Sequence, residues 1–503
     1  MGVKQAKPVA ELPDDLGQIA KKYQAYNFPF ENLVLEGGGA KGTAYIGAMK
    51  VLEDAGIMKN IKRFAGTSAG AVTAGLMSIG MTSDDIVREM GNVDMGRTLM
   101  DSPWWSRGAL RYFSFVRNFF TDFGLYPGEK FITWYGEVIY RHLRKHHSAT
   151  GLDENINLNQ LRDVFGKELC TVTYDLTYGI EMYCHAKTTP LCTIPHAVRQ
   201  SISLPGWWLS MDDQDSFQRR LEEETDDVKT TSYFYQQSIE ARFQPTNVSE
   251  EQRKQQLRKT LGLMVYSKTD RKAYQHVFSK RLDVLKTEFE GKVDFKNERP
   301  GTMLAKRYQQ NEEIRSIRMR DDIETMQTDY DAKKQRLDEV LKVPRNREDM
   351  LKCFKDNFPI EELRDFVDGA ESHEVVFDVL FAKYSGGPVT AETIKGVYNN
   401  WEPFRKKLME IVPQRIIDTP YDLNIRYLEL VGQSKPIKKE DVGRCIAIDV
   451  DYVGTLDFTL EPEDQTFLMR QGALATLAFL EDYVKRNNLQ PSKSTFTEPS
   501  GNS

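Results

Sequence analysis

The stretch IKRFAGTSAGAVTAGLMSI (Ile61–Ile79) decides the fold class. A short strand, Ile61 to Ala65, leads into Gly66-Thr67-Ser68-Ala69-Gly70, and a small-residue helical run continues to Ile79. The pattern G-x-S-x-G between a strand and a helix is a nucleophile elbow. Its glycines permit a tight, strained turn that lifts the Ser68 hydroxyl clear of the chain. The helix that follows presents its N-terminus to any negative charge that develops there.

About 30 residues upstream, Leu33-Val34-Leu35 runs into Gly37-Gly38-Gly39-Ala40-Lys41-Gly42. A helix pattern then carries Ala44, Ile46, Ala48, Met49, Val51 and Leu52 to a stop at Gly56. Backbone N–H groups of such a loop converge on an anion where no Cβ blocks approach. The loop satisfies G-x-G-x-x-G, but no acidic residue stands around Ile57 to Arg63, where a dinucleotide site needs one. It fails the Walker pattern because Gly42 follows Lys41, so Lys41 caps or orients the turn.

Working outward, 503 residues are enough chain for about three units of ordinary domain size. Sixty-eight basic against 74 acidic residues leave a net charge of -6, which argues against broad nucleic-acid binding. No run reaches the roughly 18 apolar residues of a membrane-spanning helix. Residues 1–13 lack the apolar core of a secretory signal, and Ala6 stands where a myristoylation motif wants Ser or Thr, so a cytoplasmic location is expected. Five cysteines without a C-x-x-C pair, and seven histidines without H-E-x-x-H, point to free thiols and to no metal site. His146-His147 reads as the solvated end of a basic helix.

Further strands are expected at Leu169–Leu176 and Ile180–His185, a hairpin about Thr177-Tyr178-Gly179, and at Cys445–Val450, with a helix over Asp464–Lys485. Gln309 to Lys342 contains no Gly or Pro and spaces Ile314, Ile317, Ile323, Met326, Tyr330, Leu337 and Leu341 as a long amphipathic helix. The charged stretch Asp212–Lys259 reads as a solvent-facing insertion.

The two glycine motifs together resemble the patatin-like phospholipases. So do Leu169-Cys170-Thr171-Val172-Thr173, Thr188-Thr189-Pro190, and Ala197-Val198-Arg199-Gln200-Ser201-Ile202-Ser203-Leu204-Pro205-Gly206. Lys259-Thr260-Leu261-Gly262-Leu263, Ile446-Ala447-Ile448-Asp449 and Thr455-Leu456-Asp457-Phe458 are similar to that family's later core strands. The resemblance implies a three-layer α/β fold with a largely helical insertion. On that basis residues 1–28 form an N-terminal extension, 29–270 the core and 271–430 the insertion; 431–490 return to the core and 491–503 form a disordered tail.

The resemblance further implies hydrolysis of lipid acyl esters by a Ser-Asp dyad, without cofactor. Ser68 is then the nucleophile, Gly66 and Gly70 shape its elbow, and the N–H groups of Gly37, Gly38 and Gly39 form the oxyanion hole. The family takes its acid from an Asp-Gly motif after the S-x-x-P-G segment, yet no Asp-Gly occurs between Pro205 and Lys259. The chain's Asp-Gly-Ala is Asp368-Gly369-Ala370, inside the insertion, and Asp368 is the candidate acid it offers. Two function classes stay open. One is a phospholipase A-type hydrolase of phospholipid or another acyl-ester lipid, working at a peripheral membrane surface, with transfer of the acyl group to another acceptor as a variant. The other is a catalytically degenerate module that binds lipid, or a protein partner through the helical insertion. Trp104-Trp105, Phe113, Phe115, Phe119-Phe120 and Trp207-Trp208 are core aromatics, or line an acyl channel or dip into a bilayer surface.

Overall fold

The computed structural model describes residues 14–91, 93, 95–99, 101, 126, 128–175, 180–203, 250–267, 275–291, 295, 298–318, 332–342, 346–364, 372–382, 384, 386–387, 389–398 and 439–492. The chain divides into two units, one of Met1–Val265 with Asp457–Ser503, the other of Tyr266–Leu456.

The first unit is α/β. Its strands are β1 (Asn32–Leu35), β2 (Arg63–Thr67), β3 (Glu168–Asp175), β4 (Ile180–His185) and β5, which starts at Thr260. They lie in the order β4-β3-β2-β1-β5. β1 pairs parallel with β2 and with β5, and β2 parallel with β3. Among these described strands, β3 and β4 run antiparallel and are close in sequence, as a short connection permits, whereas each parallel pair needs a crossover. The mixed α/β architecture expected from the alternation of short apolar runs and helical patterns is present. The register of β2 differs from the expectation: it begins at Arg63 and takes in Gly66 and Thr67, which pair with Thr171 and Val172 of β3. An interior glycine is tolerated in this strand because a helix backbone lies directly against it.

The helices of this unit are α1 (Asp14–Lys21), α2 (Ala44–Asp54), α3 (Ala69–Ser78), α4 (Ser83–Gly91), α5 (Met95–Leu99), α6 (Glu129–His146), α7 (Leu158–Phe165), α8 (Ile194–Ile202), α9 (Glu250–Arg258) and α10 (Pro462–Arg486). α3 packs on β1, β2 and β3; α8 packs on β3 and α3; α6 covers α8. α3 buries nearly every residue, so its composition of Ala, Gly and Thr is dictated by space. α10 lies along α2, and the two meet through reciprocal glycines. A Cβ on Gly47 would fall 1.8 Å from the carbonyl oxygen of Met469, and one on Gly472 would fall 1.9 Å from that of Ala44. α1 is pinned to the same pair: Lys22 and Tyr23, just beyond it, both reach Glu481 of α10 at 2.8 Å.

The second unit is mostly helical and holds the strand β6 (Cys445–Asp449). Arg281, on the helix Gln275–Glu288, donates to the carbonyls of Cys445 and Val442 at 2.9 and 2.8 Å. Arg299 grips Asp451 with two parallel bonds of 2.6 and 2.9 Å and reaches Glu312 with its remaining nitrogen at 2.7 Å. Phe354, Phe358, Phe377 and Phe381 form a small core of their own between the helices Arg347–Asn357 and His373–Leu380. Of the long helix expected over Gln309–Lys342, the described parts are Met303–Arg318 and 332–341. The segments 204–249 and 399–438, the N-terminal 13 residues and the tail from 493 lie outside the described residues, as do the Trp and Phe pairs between 102 and 125.

Candidate active site

The elbow forms where β2 ends and α3 begins. Ser68 sits at φ 53, ψ -124, a conformation that a residue with a Cβ rarely adopts and that costs about 1–3 kcal/mol. Its neighbours hold it there. A Cβ on Gly66 would lie 2.4 Å from the carbonyl of Gly70, and one on Gly70 would lie 2.4 Å from Leu35 O and 2.7 Å from Glu36 O. The turn is thus pressed between its own strand and the end of β1, and both motif glycines are required by backbone proximity. The Ser68 N–H donates to Ser201 Oγ at 2.9 Å, and the Ser201 hydroxyl donates to Val172 O of β3 at 2.6 Å. One side chain of α8 therefore ties the strained residue to the sheet.

The glycine loop passes beside this turn. A Cβ on Gly37 would stand 3.3 Å from both Ser68 Cβ and Thr67 O, so the loop backbone lies against the serine itself. Gly38 is crowded from the other side by Val265 of β5, 2.5 Å from where its Cβ would be. Gly39, at φ 55, turns the chain into the short 3-10 turn Gly39–Thr43 that opens α2. Glu36 fixes the start of the loop: its N–H donates to Leu263 O at 2.9 Å, and its carboxylate accepts from Val265 N at 3.3 Å. The Tyr45 hydroxyl donates to Glu36 O at 2.6 Å, and burial, then the Glu36 charge, push its ionisation far above the ordinary range. Lys41 lies within the Gly39–Thr43 turn and is buried.

Behind α8 lies a buried charge pair that the sequence does not reveal. Arg199 is 1% exposed, and burial lowers its pKa to about 10 against the opposing pull of Asp101. It donates to Ser203 Oγ, which donates to Arg199 O at 2.7 Å. Asp101 accepts from the N–H groups of Gly128 and Lys130, at 2.7 and 3.2 Å, at the start of α6. Gly128, at φ 74, leaves no room for a Cβ, which would meet the Arg199 guanidinium at 2.4 Å. This arrangement fixes α8, and with it Ser201, against α6. The Cys170 thiol, half-buried on β3, is pushed up to about 12 by its desolvation, which makes it inert at neutral pH.

The structure thus brings together Ser68, Gly37, Gly38, Gly39, Gly66 and Gly70. Asp368 lies outside the described residues, as do Asp212, Asp213, Asp215, Asp226 and Asp227. Ser201, the residue most directly bonded to the elbow, carried no signal by itself. Its place in the run Ala197–Gly206 was the available hint.

Residues 33–243 match the family model described as patatin-like phospholipase. An uncharacterised protein of Acanthamoeba polyphaga mimivirus is 33% identical over 177 residues, 35% of this chain and 52% of that protein. The uncharacterised YqhO of Bacillus subtilis is 30% identical over 178 residues, 34% of this chain and 55% of that one. The chain spans about half the length of these two relatives. A Mycobacterium bovis protein assigned to the NTE family is 35% identical over 83 residues, 16% of this chain and 13% of its own. Among solved structures, VipD of Legionella pneumophila aligns with 91% of this chain and 68% of its own at 13% identity and a TM-score of 0.40.

Proposed function

Since the chain belongs, over residues 33–243, to the patatin-like phospholipase family, we propose that it is a lipid acyl hydrolase of phospholipase A type with Ser68 as its nucleophile. The observation that carries this is the juxtaposition of a serine strained at φ 53 with the backbone of Gly37. Strain of that kind persists where surrounding structure over-determines it, and it points the hydroxyl away from its own helix.

In this scheme Ser68 Oγ attacks the ester carbonyl carbon, and its proton passes to the acid–base partner. The carbonyl oxygen, now negative, is received by N–H groups of Gly37, Gly38 and Gly39, each such donor being worth about 3 kcal/mol in related chemistry. The carbonyl re-forms as the alcohol departs with the proton, leaving an acyl-Ser68 that water hydrolyses by the reverse sequence. Asp368 is the motif candidate for the partner. No helix among the described residues is long and apolar enough to cross a membrane.

A second function is favoured by one specific observation, the lack of an Asp-Gly between Pro205 and Lys259: a degenerate module that binds lipid, or a protein through its helical part. Labelling with a fluorophosphonate serine-hydrolase probe separates the two. Hydrolysis predicts labelling of the full chain that Ser68→Ala abolishes, and loss in Asp368→Asn identifies the acid. No labelling in the presence of phospholipid vesicles and cell extract rejects the hydrolase.

A further inference from the structure

Away from the elbow, three ligand-type side chains converge where α3, α4 and α6 meet. His142 and His146 stand one turn apart on α6 and therefore share a face. Asp85, in the first turn of α4, faces them. One donor atom from each of the three lies within 4.8 Å of the other two. The imidazole rings of His142 and His146 are 4.8 Å apart, and that of His147 is 5.9 Å from His142.

His142 is oriented in the manner of a ligand. Its Nε2 lies 3.2 Å from the carbonyl of Ile79, the residue that ends α3. A carbonyl only accepts, so Nε2 carries the proton and Nδ1 keeps its lone pair. Outer carbonyls hold metal-binding imidazoles in this way. Asp85 is likewise held, by the Thr82 N–H at 3.3 Å and the Thr82 hydroxyl at 2.8 Å, and it pairs with Arg88.

We propose that Asp85, His142 and His146 form a site for zinc or a similar borderline divalent cation, which clips α4 to α6 beneath the end of the nucleophile helix. Two imidazoles and one carboxylate are a donor set suited to zinc, with water or His147 completing the sphere. Zinc bonds of about 2.0–2.1 Å at tetrahedral angles place ligand atoms roughly 3.4 Å apart. To close to that span the cluster needs a rotation of the exposed His146 side chain toward the other two. Arg88 now holds the carboxylate that the ion would take, so arginine and metal compete for Asp85. The proposal is independent of whether Ser68 is active. The sequence, which offered only His146-His147 as the solvated end of a basic helix and no metal site, gave no sign of this cluster, and Asp85 stands more than fifty positions before His142.

The test is calorimetric titration of the full chain, stripped with chelator, with zinc chloride, backed by the visible spectrum of the cobalt-substituted protein. One ion per chain is expected, with tetrahedral cobalt bands. His146→Ala removes an exposed side chain and leaves the fold intact; it is expected to weaken binding at least tenfold, as is Asp85→Asn. Arg88→Ala is expected to tighten it. The proposal is overturned if the native chain shows no saturable binding at micromolar zinc, or if His146→Ala and Asp85→Asn bind as the native chain does.

Discussion

Replacing Gly472 with alanine tests the packing on which the glycine loop depends. The new Cβ would stand 1.9 Å from Ala44 O and 3.0 Å from Ala48 N, both backbone atoms of α2. That is roughly 1.5 Å inside an ordinary carbon contact of about 3.5 Å, and no rotamer change relieves it, because neither partner is a side chain. Either α10 or α2 must move as a body. Overpacking of this kind costs about 1–3 kcal/mol, occasionally more, and rigid helix backbones on both sides put this site at the upper end. A loss of about 3 kcal/mol lowers the ratio of folded to unfolded protein on the order of 100-fold. Because α2 begins where the Gly39–Thr43 turn ends, a displaced α2 also drags the glycine loop from Ser68. Chemical denaturation followed by circular dichroism should show a markedly earlier transition, and fluorophosphonate labelling should slow. Gly396→Ala is the control: a helical glycine with nothing within 4 Å of its Cβ position, expected to be neutral or to stabilise by about 0.5–1 kcal/mol. If Gly472→Ala unfolds within about 0.5 kcal/mol of the native chain, the margin left by ordinary surface substitutions, the close helix contact is wrong.

Two further outcomes follow from named bonds. Ser201→Ala strips the Ser68 N–H and Val172 O of their shared partner, and should cost about 1–2 kcal/mol of stability. It should slow probe labelling about tenfold, and Ser201→Thr should restore both; unchanged labelling removes Ser201 as a positioning residue. Glu481 is the pH-sensitive clamp. Burial raises its pKa, but Lys22, Tyr23 and Lys485 outweigh this and hold it below 4.5. A depressed folded pKa gives stability that is complete above the unfolded value and lost as pH falls through the folded one. Glu481→Gln should therefore flatten the acid limb of the stability profile below about pH 4.5, and an unaltered limb would discount the clamp.

The elbow and loop were legible because their chemistry needs glycine at fixed offsets, and Gly66, Gly70 and Gly37 stand where backbones touch. The strand β2 was misplaced by two residues, because Gly66 reads as the start of a turn, yet Gly66 and Thr67 complete the register with β3 despite the low strand propensity of glycine. The hairpin β3–β4 and helices α2 and α10 followed from periodicity and caps. What could not be read are the contacts made at long range. Gly47 and Gly472 look like tolerated helix glycines until each is found under the other helix's carbonyl. Arg199, Asp101 and Gly128 come from three separate segments, Asp85 and His142 from two, and nothing local announces that they meet.

The lodging of α10 against α2 also sets an order of events during synthesis. Some 400 residues separate the two helices, and at about 5–20 residues per second a ribosome takes on the order of 20–80 s to add them. Throughout that interval the face of α2 that α10 covers, around Gly47, has no partner, and nascent chains with such uncovered surface are clients for chaperones. The loop that α2 anchors gains its final support only when α10 emerges. A chain interrupted anywhere in the second unit would therefore carry both glycine motifs and still lack the helix that braces them, so that the surroundings of Ser68 would be completed only after nearly all of the protein had been made.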